Sequence, residues 1–327
     1  MPIHGPSSYP ATMSLFIQHW EDLNTTLGAP LILAGGRALS LLDGWLTDVQ
    51  TKIAQTSAGV ISAVLRKGEL DVLKASLISW TVIFNARLRA DFASFSYVKN
   101  LLPAPQISAG RGLFVEPLVK TQQIWADAEV AIGAPVVLTR RTTRLDGSLF
   151  TETLTSAEYM TLITEMEAQW NEWTRAQQVA DNIREQRNDV MALAYAAMRD
   201  YRLKVPLELP AGHALVDSLP ALSPESTSPP DAPEAAGAWD AGTQQAVLTA
   251  VPSTSAEVTT TDCRYCPDEP YDANNEVILA SIPAGQPLTF STDIGLAVPG
   301  DTARFTWVAV TPDGREGRSG VVAVTRP

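Results

Sequence analysis

A chain of 327 residues is long enough for two domains that each bury a core, and a hydrophobic content of 45% excludes disorder throughout. The net charge of −12 disfavours binding to nucleic acid or to an anionic membrane surface, and no apolar run is long enough to span a bilayer. Two cysteines give no disulfide framework, and the first residues lack the basic region and apolar core of a signal peptide. We therefore expect a soluble protein, cytoplasmic rather than secreted, without membrane insertion.

The first 205 residues repeat their apolar side chains at the three-and-four spacing of amphipathic helices. A first helix is predicted over Tyr9–Leu27 and ends at Gly28 and Pro30, because glycine and proline commonly terminate helices. Further helices are predicted over residues 31–66, 69–102 and 117–132. Residues 1–205 are thus predicted to form an α-helical domain.

A β-hairpin is predicted inside this domain, at residues 135–154, where apolar and polar residues alternate. Asp146–Gly147 lies at its centre, and this pair favours the tight turn of a hairpin. An isolated hairpin is marginally stable in water. It must therefore lie on the helices or pair with a strand from elsewhere, such as another subunit.

A long helix is predicted over residues 155–204, which contain no Gly and no Pro. Thr155 and Glu158 form a capping box at its start. Unbroken, this helix would be roughly 70 Å long, so its apolar face needs other helices or other subunits. Its candidate interface residues share that face: Trp170, Trp173, Ile183, Val190 and Tyr201.

Trp170 and Trp173, with Trp80 and Trp125 on other helices, also fit packing in the chain's own core or an aromatic cage for a ligand. Gln177 and Arg187 interrupt the apolar face of the long helix. They either fix helix register against a partner or mark where the helix turns to solvent.

Residues 206–238 are rich in Pro, Ser and Ala and are predicted to be a semi-extended linker. Within it, residues 213–219 are apolar enough to dock on the helices. From residue 239 on, short alternating runs separated by turn residues predict an antiparallel β-sandwich over 239–327. Charge is uneven: residues 1–205 carry 19 basic and 20 acidic residues, whereas residues 206–327 carry 5 and 16.

The run ARFTWVAVTPDGREGRSGVVAVT resembles the last two strands of a fibronectin type III domain, with Phe305, Trp307 and Val310 in the inner pattern. This resemblance implies a sandwich of two antiparallel sheets. The run AYAAMRDYRLKVPLELPAGHALVDSLPAL carries a second resemblance, to uncharacterised bacterial proteins in which a helical region precedes a fibronectin type III-like domain. That second resemblance implies architecture and no chemistry.

Cys263 and Cys266 form one C-x-x-C motif. A zinc site needs four ligands, and His4, His19 and His213 are scattered along the chain. The two thiols are interpreted as structural or incidental, with a redox pair or a shared metal site as alternatives. No metal site is predicted.

The acidic loop at residues 268–276 fits a solvated loop better than a calcium site, because it lacks the order of an EF-hand. No Glu-x-x-His pair of a di-iron centre, phosphate-binding GK[ST] or Gly-x-Ser-x-Gly is present. The chain is therefore predicted to be no enzyme and to hold no cofactor.

The predicted fold class is a helical bundle with an inserted hairpin and one long helix, followed by an antiparallel β-sandwich of the fibronectin type III or immunoglobulin kind. The predicted function is that of a structural protein that forms homo-oligomers through its helical domain and displays an acidic sandwich. The alternative is a binding or adaptor module whose sandwich docks a protein or glycan partner.

Overall fold

The computed structural model describes residues 8–93, 96–143, 149–222, 229–273, 275–312 and 315–327. Contacts group the chain into two compact units: unit 1 is Met1–Val64 with Ala176–Pro327, and unit 2 is Leu65–Arg175. The α-helices are α1 (Tyr9–Leu27), α2 (Leu39–Asp91), α3 (Arg111–Ile132), α4 (Ser156–Glu208) and α5 (Ala214–Asp217). Among the described residues, no helix has both the length and the apolar character needed to cross a membrane.

The structure has two long helices where the sequence predicted one, since α2 and α4 each contain 53 residues. The predicted break at Lys67–Gly68 is wrong: α2 runs through it. A glycine inside a helix costs only about 1 kcal/mol, which the buried residues on either side outweigh. The predicted start at residue 31 is also wrong, because Gly35 and Gly36 have positive φ and cannot belong to the helix.

Three other helix ends differ from their predictions. Helix α2 ends at Asp91, eleven residues before the predicted end at residue 102, and a separate 3-10 helix covers Ser96–Asn100. Helix α3 begins at Arg111, six residues before the predicted start at Pro117, and Phe114 in its first turn is fully buried. Helix α4 continues past the predicted end at residue 204 to Glu208. Its capping box is confirmed: the Thr155 amide donates to Glu158 Oε2 (2.8 Å), and the Glu158 amide donates to Thr155 Oγ1 (3.2 Å).

In both units α2 packs against α4 in the antiparallel direction. In unit 1, Lys52 Nζ donates to Gln186 Oε1 (2.7 Å), and Gly59 lies against Ala180. In unit 2, the hydroxyls of Thr81 and Tyr159 are 2.7 Å apart. Helix α1 completes the helical core of unit 1, which contains these fully buried residues: Met13, Phe16, Trp20, Leu23, Ala194, Met198 and Tyr201.

The predicted hairpin is confirmed: β1 (Leu138–Thr143) pairs antiparallel with β2 (Leu149–Leu154) in unit 2. Its predicted turn at Asp146–Gly147 lies outside the described residues. The hairpin packs on the helices, because Leu138 and Leu154 join the core made by α2, α3 and α4. Trp125 Nε1 of α3 also donates to the carbonyl oxygen of Val136 just before β1 (3.0 Å).

The C-terminal part of unit 1 consists of antiparallel strands in two sheets. The strands are β3 (Glu234–Asp240), β4 (Gln245–Val251), β5 (Thr260–Cys266), β6 (Val277–Pro283), β7 (Leu288–Thr292), β8 (Thr302–Val310), β9 (Glu316–Arg318) and β10 (Val322–Thr325). One sheet has the order β3-β4-β7, and the other has the order β10-β8-β5-β6 with β9 paired to β8. Residues of both sheets share one apolar core, including Leu248, Leu288, Phe305 and Trp307.

Strand β3 begins five residues before the predicted start of the strand region at residue 239. Its sequence, EAAGAWD, has few β-branched residues, so propensity gives no strand signal there. The strand nevertheless forms because Gly237 allows a close approach: a Cβ at this position would lie 2.7 Å from Leu248 Cδ2 and 2.9 Å from Val322 Cγ1.

The strand region packs directly on the helices of unit 1. Val277 lies in a buried cluster with Val60 of α2 and Ala180 of α4, and Leu279 packs against the same cluster. The segment after α4 also folds back, since Leu215 and other apolar residues of 209–222 pack on the helical core. The interpretation of residues 206–222 as a semi-extended linker is therefore wrong, whereas the predicted docking of residues 213–219 is confirmed. The division into three independent parts at 205 and 239 stays a prediction.

The close contact between α2 and α4 predicts the effect of enlarging Gly59. A Cβ at this position would lie 3.3 Å from the Cα and Cβ of Ala180. Neither atom can move aside without a shift of the α4 backbone. We expect Gly59→Leu to lower the free energy of unfolding by about 2 kcal/mol or more, as overpacking does. The control is Gly44→Leu in the same helix, where a Cβ meets nothing within 4 Å. It should raise stability by about 0.5–1 kcal/mol, and denaturant titrations giving equal shifts for both variants would contradict the contact.

Candidate functional site

Trp170 and Trp173, two of the predicted interface residues, are half-buried and pack on the core of unit 2. Their ring centroids are 6.3 Å apart, and the Trp170 ring is 6.4 Å from that of Phe114. Lys74 Nζ lies 4.9 Å from the centroids of both Phe114 and Trp170. Of the rings considered for an aromatic cage, Trp170 thus has the chain's own Lys74 over its face, and both Trp170 and Trp173 pack on the core of unit 2.

Lys74 is buried, and burial lowers the pKa of its ammonium group. Its nearest carboxylate is Asp71, at 3.9 Å, and Asp71 is itself paired with Lys67 at 2.5 Å. The two aromatic faces therefore provide much of the stabilisation of this buried cation.

The other predicted interface residues differ in exposure. Tyr201 is fully buried in the helical core of unit 1, where its ring stacks on Trp20 at 4.6 Å, so its assignment to an interface is wrong. Val190 packs on the same core and Ile183 is half-buried. Gln177 is exposed, as expected where the helix turns to solvent, whereas Arg187 is buried.

Tyr201 takes part in a buried polar contact that connects three segments of unit 1. The Tyr201 hydroxyl lies 2.6 Å from His19 Nδ1, and His19 Nε2 lies 2.9 Å from the carbonyl oxygen of Leu215. A carbonyl only accepts, so Nε2 carries the proton and Nδ1 accepts from Tyr201. Burial lowers the pKa of His19, although the hydrogen bond to Leu215 and the charge of Asp22 act in the opposite direction. The lowered pKa favours the neutral imidazole.

The predicted redox pair, Cys263 and Cys266, consists of free thiols within β5. Cys263 is fully buried in the strand core, and burial raises its pKa to about 12. Burial also raises the pKa of Cys266, although the amides of Asp268 and Asp272 donate to its sulfur. Reactive cysteines need a lowered pKa and access to solvent, so these thiols are suited to packing rather than to redox chemistry.

A buried network of charges lies under the acidic loop, and sequence reasoning missed it. Arg264 of β5, with a side chain only 2% exposed, donates to three carboxylates. Its Nη1 lies 2.6 Å from Glu276, and its Nη2 lies 2.7 Å from Asp262 and 2.8 Å from Glu316. Arg318 of β9 bridges Glu276 and Glu316 at 2.7–2.8 Å. Arg264 lies between Cys263 and Tyr265 in the predicted strand region. A charged residue inside such an apolar run is the sequence signal that could have indicated the network.

The acidic loop is bound to this network, not free in solvent. The Tyr271 hydroxyl donates to Glu276 Oε2 (2.8 Å) and lies 2.9 Å from Thr306 Oγ1. Asn275 Nδ2 donates to Asp268 (2.6 Å), while Asn274 lies outside the described residues. In the part of the chain that the structure describes, no group of three or more His, Cys, Asp or Glu residues is placed to hold a metal ion.

The charges of the network act on one another. Burial alone would raise the pKa of Glu276, but hydrogen bonds and charges from Arg318 and Arg264 lower it more. Burial acts against the charge of Arg264, whereas Glu316, Glu276 and Asp262 raise its pKa above its ordinary value. These shifts keep Glu276 and Arg264 charged at neutral pH, and the ion pairs of the network join β5, β9 and the acidic loop.

No protein-family model matches the chain, and no curated protein matches it significantly. A solved fibronectin type III-like protein from Clostridium thermocellum is similar at 17% identity, over 31% of this chain and 96% of that chain, with a TM-score of 0.24. A pectate lyase from Pectobacterium carotovorum is similar at 9% identity, over 28% of this chain and 26% of that chain, with a TM-score of 0.23. Neither likeness carries an argument about the fold or the chemistry of this chain.

Removing the central cation of the network should destabilise the strand region strongly. We expect Arg264→Met to lower the free energy of unfolding by about 3–5 kcal/mol, because Asp262, Glu276 and Glu316 would stay buried without it. The control is Arg66→Met, which breaks the exposed ion pairs of Arg66 with Glu69 and Glu172 and should cost far less stability, because exposed pairs contribute little. Denaturant titrations showing similar losses would mean that the network contributes no more than a surface pair.

The lowered pKa of Glu276 predicts how stability depends on pH. A carboxyl with a lower pKa in the folded state stabilises the protein above its unfolded pKa, about 4.3, and this contribution is lost as pH falls below it. We expect Glu276→Gln to be less stable at pH 7 and to lose less stability than the wild type on acidification. The control is Glu172→Gln on the surface, which should follow the wild-type profile. Parallel melting-temperature profiles for all three proteins would exclude this role.

Proposed function

We propose that this is a non-enzymatic structural protein that self-associates through its helices and displays an acidic strand region. The observation that carries this proposal is a line of exposed apolar residues at the C-terminal end of α4. Leu193, Leu203 and Leu207 are 52%, 67% and 82% exposed. With Ala196 and Asp200 they follow the alternating three- and four-residue spacing of a coiled-coil seam. We call these five residues the leucine seam.

The opposite face of the same helix segment is already buried. Ala194, Ala197, Met198, Tyr201 and Val205 lie within the chain's own core. A helix that is apolar on both faces normally has neighbours on both faces. The leucine seam therefore favours a contact with a further helix.

A second copy of this chain is the occupant that we propose, and the charges favour a contact through the helices rather than through the strand regions. Residues 1–205 carry a net charge of −1, whereas residues 206–327 carry −11, so strand regions of two copies repel each other. Two seams related by a two-fold axis are complementary by symmetry. With the exposed flanking residues, such a contact would bury on the order of 1,000 Å², near the lower limit of a stable interface.

Asp200 gives the seam a means of fixing its register. Its carboxylate lies 3.0 Å from Arg37 Nη1, so the charge is paired within the chain. A single polar residue in an apolar seam disfavours shifted pairings, because a shift would place it against leucine. The pair also allows Asp200 to lie at an interface without an unpaired charge.

We further propose that the strand region is a fibronectin type III-like sandwich. Its first, second and fifth main strands form one sheet, and the third, fourth, sixth and seventh form the other. The resemblance implies a sandwich of two antiparallel sheets, and here apolar residues of both sheets fill one core between them. The strand order and the shared core support this proposal.

The leucine seam can be tested by making it polar. We expect the wild type to sediment as a defined oligomer at micromolar concentration, and Leu203→Ser with Leu207→Ser to sediment as a folded monomer. Helical content should be unchanged, because both side chains are exposed. The matched control is Leu113→Ser with Val130→Ser on α3, two comparably exposed residues outside the seam, which should keep the oligomer.

A wild type that is monomeric under these conditions would refute self-association. It would favour the alternative function, a binding or adaptor module whose β-sandwich docks a protein or glycan partner. An oligomer that survives the double change at the seam would instead place the interface elsewhere, with half-buried Trp170 and Trp173 as the next residues to replace.

A further inference from the structure

Two arginines lie one turn apart on α4 in unit 1, on the face that packs towards α2. Arg187 is only 6% exposed. Both its Nε and its Nη2 donate to a single neutral acceptor, Oδ1 of the adjacent Asn188, at 3.2 and 3.0 Å. Among the residues that the structure describes, no carboxylate lies within 4 Å of the Arg187 guanidinium.

The surroundings of Arg187 add positive charge. Arg184 donates through Nη1 to Asp181 (3.0 Å), but its buried Nε has no hydrogen-bond partner. Lys52 of α2, which contacts the neighbouring residue Gln186, is bonded there to an uncharged amide oxygen. Lys52, Arg184 and Arg187 thus place three cations in this region of the α2–α4 contact. Of these, only Arg184 has a carboxylate partner among the described residues.

Burying a guanidinium without a counter-charge costs free energy, and arginine cannot lower that cost by losing its proton. Burial lowers the pKa of Arg187, and the charge of Arg184 lowers it further. Arg264 of the same chain offers a contrast, since that more deeply buried arginine contacts three carboxylates. Arg187 therefore lacks the counter-charge that its burial requires.

We propose that Arg184 and Arg187 bind a small oxyanion of the phosphate class between α2 and α4. Guanidinium groups present several donors in a plane and match the oxygens of phosphate or sulfate. The unpartnered Nε of Arg184 supplies one donor, and the guanidinium of Arg187 supplies the charge. This proposal is independent of the leucine seam and of self-association.

The burial of Arg187 selects among sources of such an anion. A free inorganic ion can reach a residue that is 6% exposed more readily than a phosphate group carried on a larger molecule. We therefore assign the site to free inorganic phosphate or sulfate. Phenyl phosphate, a monoester with the same charged group, serves as the probe for the other source.

Titration of the full-length protein with inorganic phosphate tests the site, with ionic strength kept constant by sodium chloride. We expect calorimetry to show saturable binding with a Kd below about 1 mM, and the melting temperature to rise in parallel, as ligand linkage requires. Phosphate also stabilises proteins generally by exclusion from their surface, but that effect does not saturate. Phenyl phosphate should bind at least ten-fold more weakly.

The variants separate a built site from a general salt effect. Arg187→Met should weaken phosphate binding at least ten-fold, and Arg184→Gln, a change at a partly exposed residue, should weaken it at least five-fold. Arg199→Met replaces an exposed arginine of the same helix and should bind like the wild type. Absence of saturable binding in the wild type, or equal binding by Arg184→Gln and the wild type, would overturn the proposal. Tight binding of phenyl phosphate would overturn its assignment to a free ion.

Discussion

The antiparallel pairing of α2 with α4 is the contact on which both compact units depend. In unit 1 the two helices are in close contact at Gly59 and Ala180, where a Cβ on Gly59 would lie 3.3 Å from the Ala180 backbone. The strand region packs beside this point through Val277, on Val60 and Ala180. In unit 2 the same pair of helices is held by larger residues, with the hydroxyls of Thr81 and Tyr159 in contact inside an apolar core. The third helix differs between the units, α1 in one and α3 in the other.

Local signals in the sequence were sufficient to predict an element when the residues that set its ends lie within or next to it. The bounds of α1, the capping box at Thr155 and the hairpin between residues 138 and 154 were predicted, because each depends on residues close in sequence. Predictions failed where distant residues decide. Strand β3 exists because Gly237 fits against Leu248 and Val322, a reason that its own sequence does not contain.

The candidate sites show the same limit. Arg187 was recognised as a polar interruption of an apolar face, but its burial without a carboxylate depends on what packs against it. The network around Arg264 draws on Glu276 and Glu316, which lie 12 and 52 residues away along the chain. The leucine seam follows a period that the sequence displays, yet its exposure depends on which face of α4 the core covers. Composition and the spacing of apolar residues thus predicted the secondary-structure elements. The roles of individual side chains became apparent only from their burial in the structure.

Among the described residues, three buried cations have three different kinds of neighbour. Lys74 lies between two aromatic rings, Arg264 contacts three carboxylates, and Arg187 contacts only a neutral amide. Aromatic faces and carboxylates both stabilise a buried charge, whereas an amide oxygen offsets little of the cost of removing it from water. The three sites therefore differ in what they need from outside the chain. The first two are complete as they stand, and the third has unused donor capacity.

The folding back of residues 209–222 changes how the strand region is connected to the helices. Leu222 still packs on the helical core, and the buried Pro230 already lies against Gly317 of β9, so only residues 223–229 separate the two docked segments along the chain. A tether this short keeps the strand region at an effective concentration in the millimolar range beside its contact surface on the helices. The small apolar contact of Val277 and Leu279 with α2 and α4 can then persist although it would be too weak to hold two separate molecules together. Because doubling the length of such a tether costs only about 0.6 kcal/mol, a related chain would release its strand region more readily by altering this contact than by lengthening the tether.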